Sequence, residues 1–170
     1  MGLLQSLSSI FHGKDAQTSM IPTPSNKQIV FKLLMNKFND PAVVAGIMGN
    51  IGHETGGSFD YLQQQFGGGP GRGLIQMEGK MLDAYNKFLS INKLTDSGEA
   101  QIDFIKNIID SDDNYDIGAG HRKKLVKIFK SGDPALIAEE FSTRVERPGK
   151  PQLEKRKKLA LEYFGKIRRK

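Results

Sequence analysis

An apolar segment with evenly spaced glycines constrains the fold of this chain more than any other feature. Residues 40–54 read Asp-Pro-Ala-Val-Val-Ala-Gly-Ile-Met-Gly-Asn-Ile-Gly-His-Glu, and an Asp cap followed by proline predicts the start of a helix. Gly46, Gly49 and Gly52 recur at every third position inside it. Each glycine weakens a helix interior by roughly 1 kcal/mol relative to alanine. We therefore expect another backbone to approach this helix closely, which makes it the central helix of the domain.

The rest of the chain is predicted to be mainly helical around one glycine-rich region. We expect a first helix capped by Ser25 or Asn26, and further helices over 79–92, 97–110, 121–131, 134–145 and 151–167. Residues 55–77 hold too much glycine for a helix, and short strands in a small β-hairpin are the natural interpretation. The predicted fold class is α+β, mainly α. One domain is placed at 26–170, preceded by an N-terminal arm and linker over 1–25 whose prolines disfavour helix.

Composition and motifs exclude several classes of protein. The chain has no cysteine, which excludes a disulfide scaffold. No apolar run reaches the roughly 18 residues of a membrane span, and the first residues lack the basic start of a signal peptide. The glycine-rich stretch 67–73 lacks the Lys-Ser or Lys-Thr of a phosphate loop, and the acidic stretch 110–116 lacks the glycine of a calcium loop. The three histidines are too scattered for a zinc site, so we expect neither metal nor cofactor.

Positive charge is concentrated at the end of the chain. Residues 1–120 carry 9 Lys/Arg and 13 Asp/Glu, a net charge of −4, whereas residues 121–170 carry 16 and 6, a net charge of +10. Such asymmetry indicates an anionic partner, such as nucleic acid or a charged cell envelope. The solvated face of a terminal helix would look the same, and the sequence leaves both interpretations open.

The carboxylate at the end of the central helix is the main candidate for chemistry. Glu54 would lie at the negative end of the helix dipole, which favours the protonated form of a carboxyl group. Desolvation by apolar walls acts in the same direction. A protonated carboxylic acid is the group that glycoside cleavage needs to protonate the leaving oxygen. Alternatively, Glu54 faces solvent or accepts hydrogen bonds from amides of the following glycine turn.

Four short segments, taken together, resemble the phage tail lysozyme family of the lysozyme-like superfamily. They are AGIMGNIGHETG at 45–56, GRGLIQ at 71–76, QIDFI at 101–105 and ERP at 146–148. The resemblance spans roughly residues 27–165. It implies a lysozyme-like helical domain with a small β-hairpin region after the catalytic helix. It also implies a muramidase, which hydrolyses the β-1,4 bond between N-acetylmuramic acid and N-acetylglucosamine in peptidoglycan.

The resemblance assigns roles to individual residues. In the family, the glutamate that ends the helix is the general acid, and the matching residue is Glu54. A hydrolase usually needs a second carboxylate. Glu78 lies 24 residues later, a spacing that resembles goose-type relatives, and Asp60 is its rival. Glu146 is a third candidate, although the adjacent Arg147 favours a structural ion pair.

The hairpin is expected to form one wall of the sugar cleft. The residues that we predict to contact substrate are Gly73, Gln76, Tyr61 and Glu146. Relatives often carry tryptophan after the hairpin glutamine, but here that residue is Met77 and the chain has no tryptophan. A tyrosine would then supply the apolar platform for a sugar ring, and the candidates are Tyr61, Tyr85 and Tyr115. Tyr61 is the first choice because it is nearest the cleft in sequence.

The resemblance also implies partners and a place of action. We expect a monomer that acts on the glycan strands of peptidoglycan, with the basic C-terminal region attracted to the anionic envelope and the N-terminal arm binding virion components. Both a phage virion component and an endolysin held in the host cytoplasm before release fit the sequence. Two other functions remain open. One is a lytic transglycosylase on the same fold, which needs one acid/base glutamate; the other is a non-catalytic basic module that binds nucleic acid or the envelope.

Overall fold

The computed structural model describes residues 23–169, and its regular structure consists of seven α-helices and one short π-helix. The helices are α1 (Asn26–Phe38), α2 (Pro41–Glu54), α3 (Gly79–Asn92), α4 (Gly98–Asp110), α5 (Ala119–Phe129), α6 (Pro134–Phe141), the π-helix (Ser142–Glu146) and α7 (Leu153–Ile167). The predicted arm falls almost wholly on residues 1–22, outside the described range. Within that range, no helix is long and apolar enough to cross a membrane.

Side chains that cap the first turns explain where the first two helices begin. Ser25 Oγ accepts a hydrogen bond from the Gln28 amide, and the Gln28 side chain accepts one from the Ser25 amide, which forms a capping box. Asp40 Oδ1 accepts from the amides of Ala42 (2.8 Å) and Val43 (3.1 Å) ahead of the proline of α2. The predicted starts of both helices are confirmed.

The later helices differ from prediction chiefly between α6 and α7. The helix over 79–92 has the predicted bounds, and α4 starts one residue later because Ser97 is its cap. The helix predicted over 134–145 ends at Phe141 and continues as the π-helix. This wider turn keeps Val145 in the core while Glu146 contacts α7. π-Helical turns of this kind are frequent at functional sites.

α2 is the central helix that its glycines predict. All of its residues from Ala42 to Gly52 are buried. A Cβ placed on Gly46 would lie 2.8 Å from Ile137 Cβ in α6, and one on Gly49 would lie 2.6 Å from the backbone oxygen of Arg156 in α7. Real side chains do not approach so closely, so the predicted close approach is confirmed. It places the backbone of α7 against the second half of α2.

The predicted β-hairpin is wrong: no strand forms between α2 and α3. The segment is a loop held by two isolated antiparallel bridges, in which Arg72 pairs with Gln64 and with Met77. Glycine occupies five of the seven positions from 67 to 73, and Pro70 has no amide hydrogen to donate. Such a stretch has few side chains that could pack across a strand pair, so pairing does not extend. Within the described residues the fold is therefore helical, and the β part of the predicted class is not present.

Candidate active site

A cleft of about 450 Å³ opens at the C-terminal end of α2. Four parts of the chain line it: the end of α2, the glycine-rich loop with the start of α3, Tyr115 in the loop between α4 and α5, and the segment from the end of the π-helix to the first turn of α7. The predicted site residues in its lining are Glu54, Gln76, Glu78 and Glu146. The fold thus brings together four of the six residues that the sequence predicts for catalysis or substrate contact.

The glycine turn after α2 is closed by its own hydrogen bonds. The amide of Gly57 donates to the carbonyl of Gly52 at 2.8 Å, and that of Gly56 donates to the carbonyl of His53 at 3.3 Å. Gly56 has a φ of 57°, which a residue without a side chain adopts at little cost. These amides bond to helix carbonyls rather than to the carboxylate of Glu54. The Glu54 side chain is instead 17% exposed and lines the cleft.

A buried arginine holds the Glu54 carboxylate. Arg156 in α7 is 1% exposed, and its Nη2 donates a hydrogen bond to Glu54 Oε1. Its Nη1 donates to Glu146 Oε2 at 2.5 Å and to Asn50 Oδ1 at 2.9 Å, while Nε donates to the carbonyl of Pro151 at 2.7 Å. Every nitrogen of the guanidinium therefore donates at least once. A buried cation requires such pairing, because an unpaired one is very costly to desolvate.

Asn50 fixes the guanidinium from the side of α2. It is fully buried, and its Nδ2 donates to the carbonyls of Gly46 (3.1 Å) and Ala138 (3.0 Å). These bonds orient the amide so that its oxygen faces Arg156. The position of the arginine, and through it that of Glu54, is therefore determined jointly by α2, α6, the π-helix and α7.

Glu146 lies deeper than Glu54. Its side chain is 3% exposed, and Oε1 is buried with no hydrogen-bond partner among the described residues. Burial raises the pKa of Glu146 to about 8; the Arg156 cation opposes this rise and the negative charge of Glu54 adds to it. The sequence favours an ion pair with Arg147, but the partner is Arg156. Arg147 has a φ of 51° and donates instead to the carbonyl of Ile117 at 2.7 Å.

His53 completes the α2 side of the cleft. Burial lowers the pKa of its imidazole, the nearby Arg156 and Lys155 cations lower it further, and the negative charge of Glu54 opposes them. The imidazole is therefore neutral at neutral pH. A neutral imidazole donates one hydrogen bond and accepts another, which suits contact with hydroxyl groups.

Glu78 and Gln76 come from the loop that precedes α3. Glu78 is exposed at the N-terminus of α3, and its side chain makes no capping hydrogen bond to that helix. Gln76 has a φ of 49°, and its Nε2 donates to the carbonyl of Gly73 at 3.0 Å. Its buried Oε1 accepts no hydrogen bond from the described residues. Residues 23–169 contain no group of three or more His, Asp or Glu side chains that could hold a metal ion.

Three of the other candidates do not line the cleft. Gly73 packs against Gln101, whose Oε1 lies 2.6 Å from the place of a Cβ. The carbonyl of Tyr61 accepts a hydrogen bond from Gln101 Nε2 at 2.9 Å, at the start of α4. Asp60 Oδ1 accepts from the amide of Leu62 at 2.9 Å, within its own turn.

The tyrosine candidates differ in whether they reach the cleft. Tyr115 lines the cleft, whereas Tyr85 is buried and donates to Asp96 Oδ1 at 2.7 Å. Burial and this hydrogen bond raise the pKa of Tyr85 well above its usual range. Met77, at the position where relatives often carry tryptophan, is 1% exposed in the core. Tyr115 is thus the tyrosine that the fold makes available to a ligand.

Sequence reasoning missed Arg156, because it lies in a basic run that reads as a solvated face. The spacing of residues along α7 nevertheless indicated that Arg156 is buried. Arg156, Ala160 and Tyr163 are separated by four and three residues, and all three are buried on the side of α7 that packs on α2. A charged residue in an apolar stripe indicates a buried partner of opposite charge.

Comparison with known proteins gives one family match. The model of a family described as phage tail lysozyme matches residues 25–167. No curated protein and no solved structure matches the chain. The matched range contains every helix of the described residues and all four parts of the cleft. The chain therefore belongs to the phage tail lysozyme family.

Proposed function

We propose that this protein is a muramidase that hydrolyses the β-1,4 bond between N-acetylmuramic acid and N-acetylglucosamine. Family membership supports a lysozyme-like enzyme of the glycosidase type that acts on peptidoglycan. The observation that carries the finer proposal is the Glu54 carboxyl group at the cleft, held from behind by a buried arginine. Glu78, an exposed carboxylate, lines the same cleft.

In the proposed reaction, Glu54 donates a proton to the glycosidic oxygen as the bond to the anomeric carbon breaks. Positive charge develops on the sugar ring in the transition state. Glu78 supplies the second carboxylate, as base for the attacking water or as nucleophile. Asp60 is disfavoured for this role because it lies outside the cleft lining, and Glu146 because it is buried on Arg156.

Substrate contacts are proposed for three residues of the lining. The buried Oε1 of Gln76 can accept a hydrogen bond from a sugar hydroxyl or acetamido group, because no described residue donates to it. His53 can contribute a neutral imidazole, and Tyr115 the apolar platform that Tyr61 was expected to supply.

The exposed cations of α7 are proposed to attract the enzyme to the anionic envelope. Lys155, Lys158 and Lys166 are exposed on this helix, and Arg168 and Arg169 follow it. Salt screens such exposed charges. We expect lysis of whole cells to fall with ionic strength faster than cleavage of soluble peptidoglycan fragments. Equal responses to salt would remove this surface from the mechanism.

The test is clearing of purified peptidoglycan, with mass spectrometry of the products. Wild type should clear the peptidoglycan. The activity of Glu54→Gln should be about 10²- to 10⁴-fold lower than that of wild type, and Glu78→Gln should also lose activity. Asp60→Asn is the matched control and should stay near wild type. Reducing N-acetylmuramic acid ends would support hydrolysis, whereas anhydro ends would indicate a transglycosylase. A folded wild type that clears no peptidoglycan would overturn the proposed enzyme.

A further inference from the structure

Two carboxylates share one buried cation in this cleft. Arg156 Nη2 bonds to Glu54, and Nη1 of the same guanidinium bonds to Glu146 at 2.5 Å. If both carboxylates were ionised, the cluster would carry one excess negative charge in a place where Arg156 and Glu146 are almost wholly buried. One proton would neutralise the cluster. Since two interacting carboxyl groups titrate as a coupled pair, their charges must be considered together.

A general acid must hold a proton, and a cation bonded to it opposes this. A second carboxylate on the same guanidinium compensates that effect. We propose that Glu146 is a positioning residue for the muramidase reaction: by sharing Arg156 with Glu54, it allows Glu54 to hold the proton that it donates. This inference rests on the proposed function.

The geometry of Glu146 fits this role better than that of a structural ion pair alone. Only one of its oxygens is bonded, although the whole side chain is buried. Burial raises the pKa of Glu146 to about 8, so this carboxyl group can carry the one proton of the cluster near neutral pH. When the proton is on Glu146, Arg156 pairs with an ionised Glu54. When it is on Glu54, Arg156 pairs with an ionised Glu146 and the acid is ready to react.

Other charged groups around the cleft also act electrostatically on Glu54 and Glu146. They come from α2, the start of α3, the loop between α4 and α5, the loop after the π-helix, and α7. The charged or titratable side chains are His53, Glu78, Lys80, Tyr115, Arg147, Lys150 and Lys155. None of them makes a hydrogen bond to either carboxylate among the described residues, so the shared guanidinium is the direct link between the two.

The experiment measures the pH dependence of kcat on a soluble glycan fragment for wild type and Glu146→Gln. In this variant Glu54 is the one carboxylate still bonded to Arg156. The pH at which activity falls on the alkaline side of the profile should therefore be about 1 to 3 pH units lower than in wild type. KM should change little. Glu146→Asp keeps the charge and should retain more of the alkaline activity. Glu139→Gln removes a carboxylate that is 38% exposed and bonds Lys157 instead, so its profile should match wild type.

A uniform loss at every pH, or an unshifted profile in active Glu146→Gln, would overturn the inference and leave the proposed muramidase intact. An inactive wild type would instead overturn the proposed function. If Glu146→Gln does not fold, the wild type still decides the question. Titration of its glutamate side-chain carbons by NMR should show Glu54 and Glu146 changing together in two steps. Two independent single-step curves would overturn the shared proton.

Discussion

The closest test of the packing argument is to make the same substitution at two helical glycines with opposite surroundings. In α2, a Cβ on residue 49 would lie 2.6 Å from Arg156 O and 2.9 Å from Ala160 N. In α7, a Cβ on Gly165 would meet nothing within 4 Å. Gly49→Ala should therefore destabilise the protein, whereas Gly165→Ala should stabilise it.

The magnitudes follow from two opposing effects. Alanine is better than glycine in a helix interior by about 1 kcal/mol, and this gain applies at both sites. Overpacking a tight site costs typically 1–3 kcal/mol. At residue 49 the nearest atoms belong to a backbone that cannot rotate away, which places the cost at the upper end. We expect Gly49→Ala to lose about 2 kcal/mol and Gly165→Ala to gain about 1 kcal/mol.

Urea unfolding followed by circular dichroism measures both changes as differences in the free energy of unfolding. For a chain of this size, a loss of about 2 kcal/mol also lowers Tm by roughly 4–8 °C. Gly49→Ala should in addition reduce lytic activity, because the displaced α7 backbone carries Arg156. A Gly49→Ala variant as stable as wild type, or more so, would refute the argument that this glycine serves close helix approach.

Three further predictions concern the cleft. Arg156→Met should cost about 3 kcal/mol in urea unfolding, because it leaves the buried oxygens of Asn50 and Glu146 without their donor, at roughly 1–3 kcal/mol each; a loss below about 1 kcal/mol would contradict this. The pKa of Glu146 is about 8 in the folded protein and about 4.3 when unfolded, so its stabilising contribution is full below about pH 4.3 and is lost as the pH rises to about 8. The difference in the free energy of unfolding, wild type minus Glu146→Gln, should therefore fall across this pH window by up to about 1.4 kcal/mol per pH unit. A difference that stays constant with pH would refute the raised pKa of the buried Glu146 carboxyl group. Phe66 is 66% exposed and follows the cleft residue Gln65, so we expect its ring to contact a sugar. Phe66→Ala should then raise KM roughly two- to tenfold. Ile91→Ala is the control and should leave KM unchanged, because Ile91 is 61% exposed but lies outside the cleft lining.

Local features of the chain were predictable because their causes are local. Asp40 caps α2 through amides two and three residues away, and Ser97 caps α4 through the amide of Ala100. The glycine spacing of α2 also carried information about packing, since a glycine in a helix interior is otherwise unfavourable. The hairpin prediction failed because glycine-rich turns are shared by hairpins and by irregular loops. Without alternating side chains, nothing in residues 55–77 selects a strand pair.

The sequence by itself determined the helices, the central place of α2 and the candidacy of Glu54, because capping, periodicity and helix ends depend on neighbours within a few positions. Only the tertiary structure decided what holds Glu54. Its partner Arg156 lies 102 residues away, and the second carboxylate on that arginine is Glu146, ten residues before it. A buried charge is tolerated only where the fold supplies its partners. Which carboxylate pairs with which cation therefore depends on how α2, the π-helix and α7 pack.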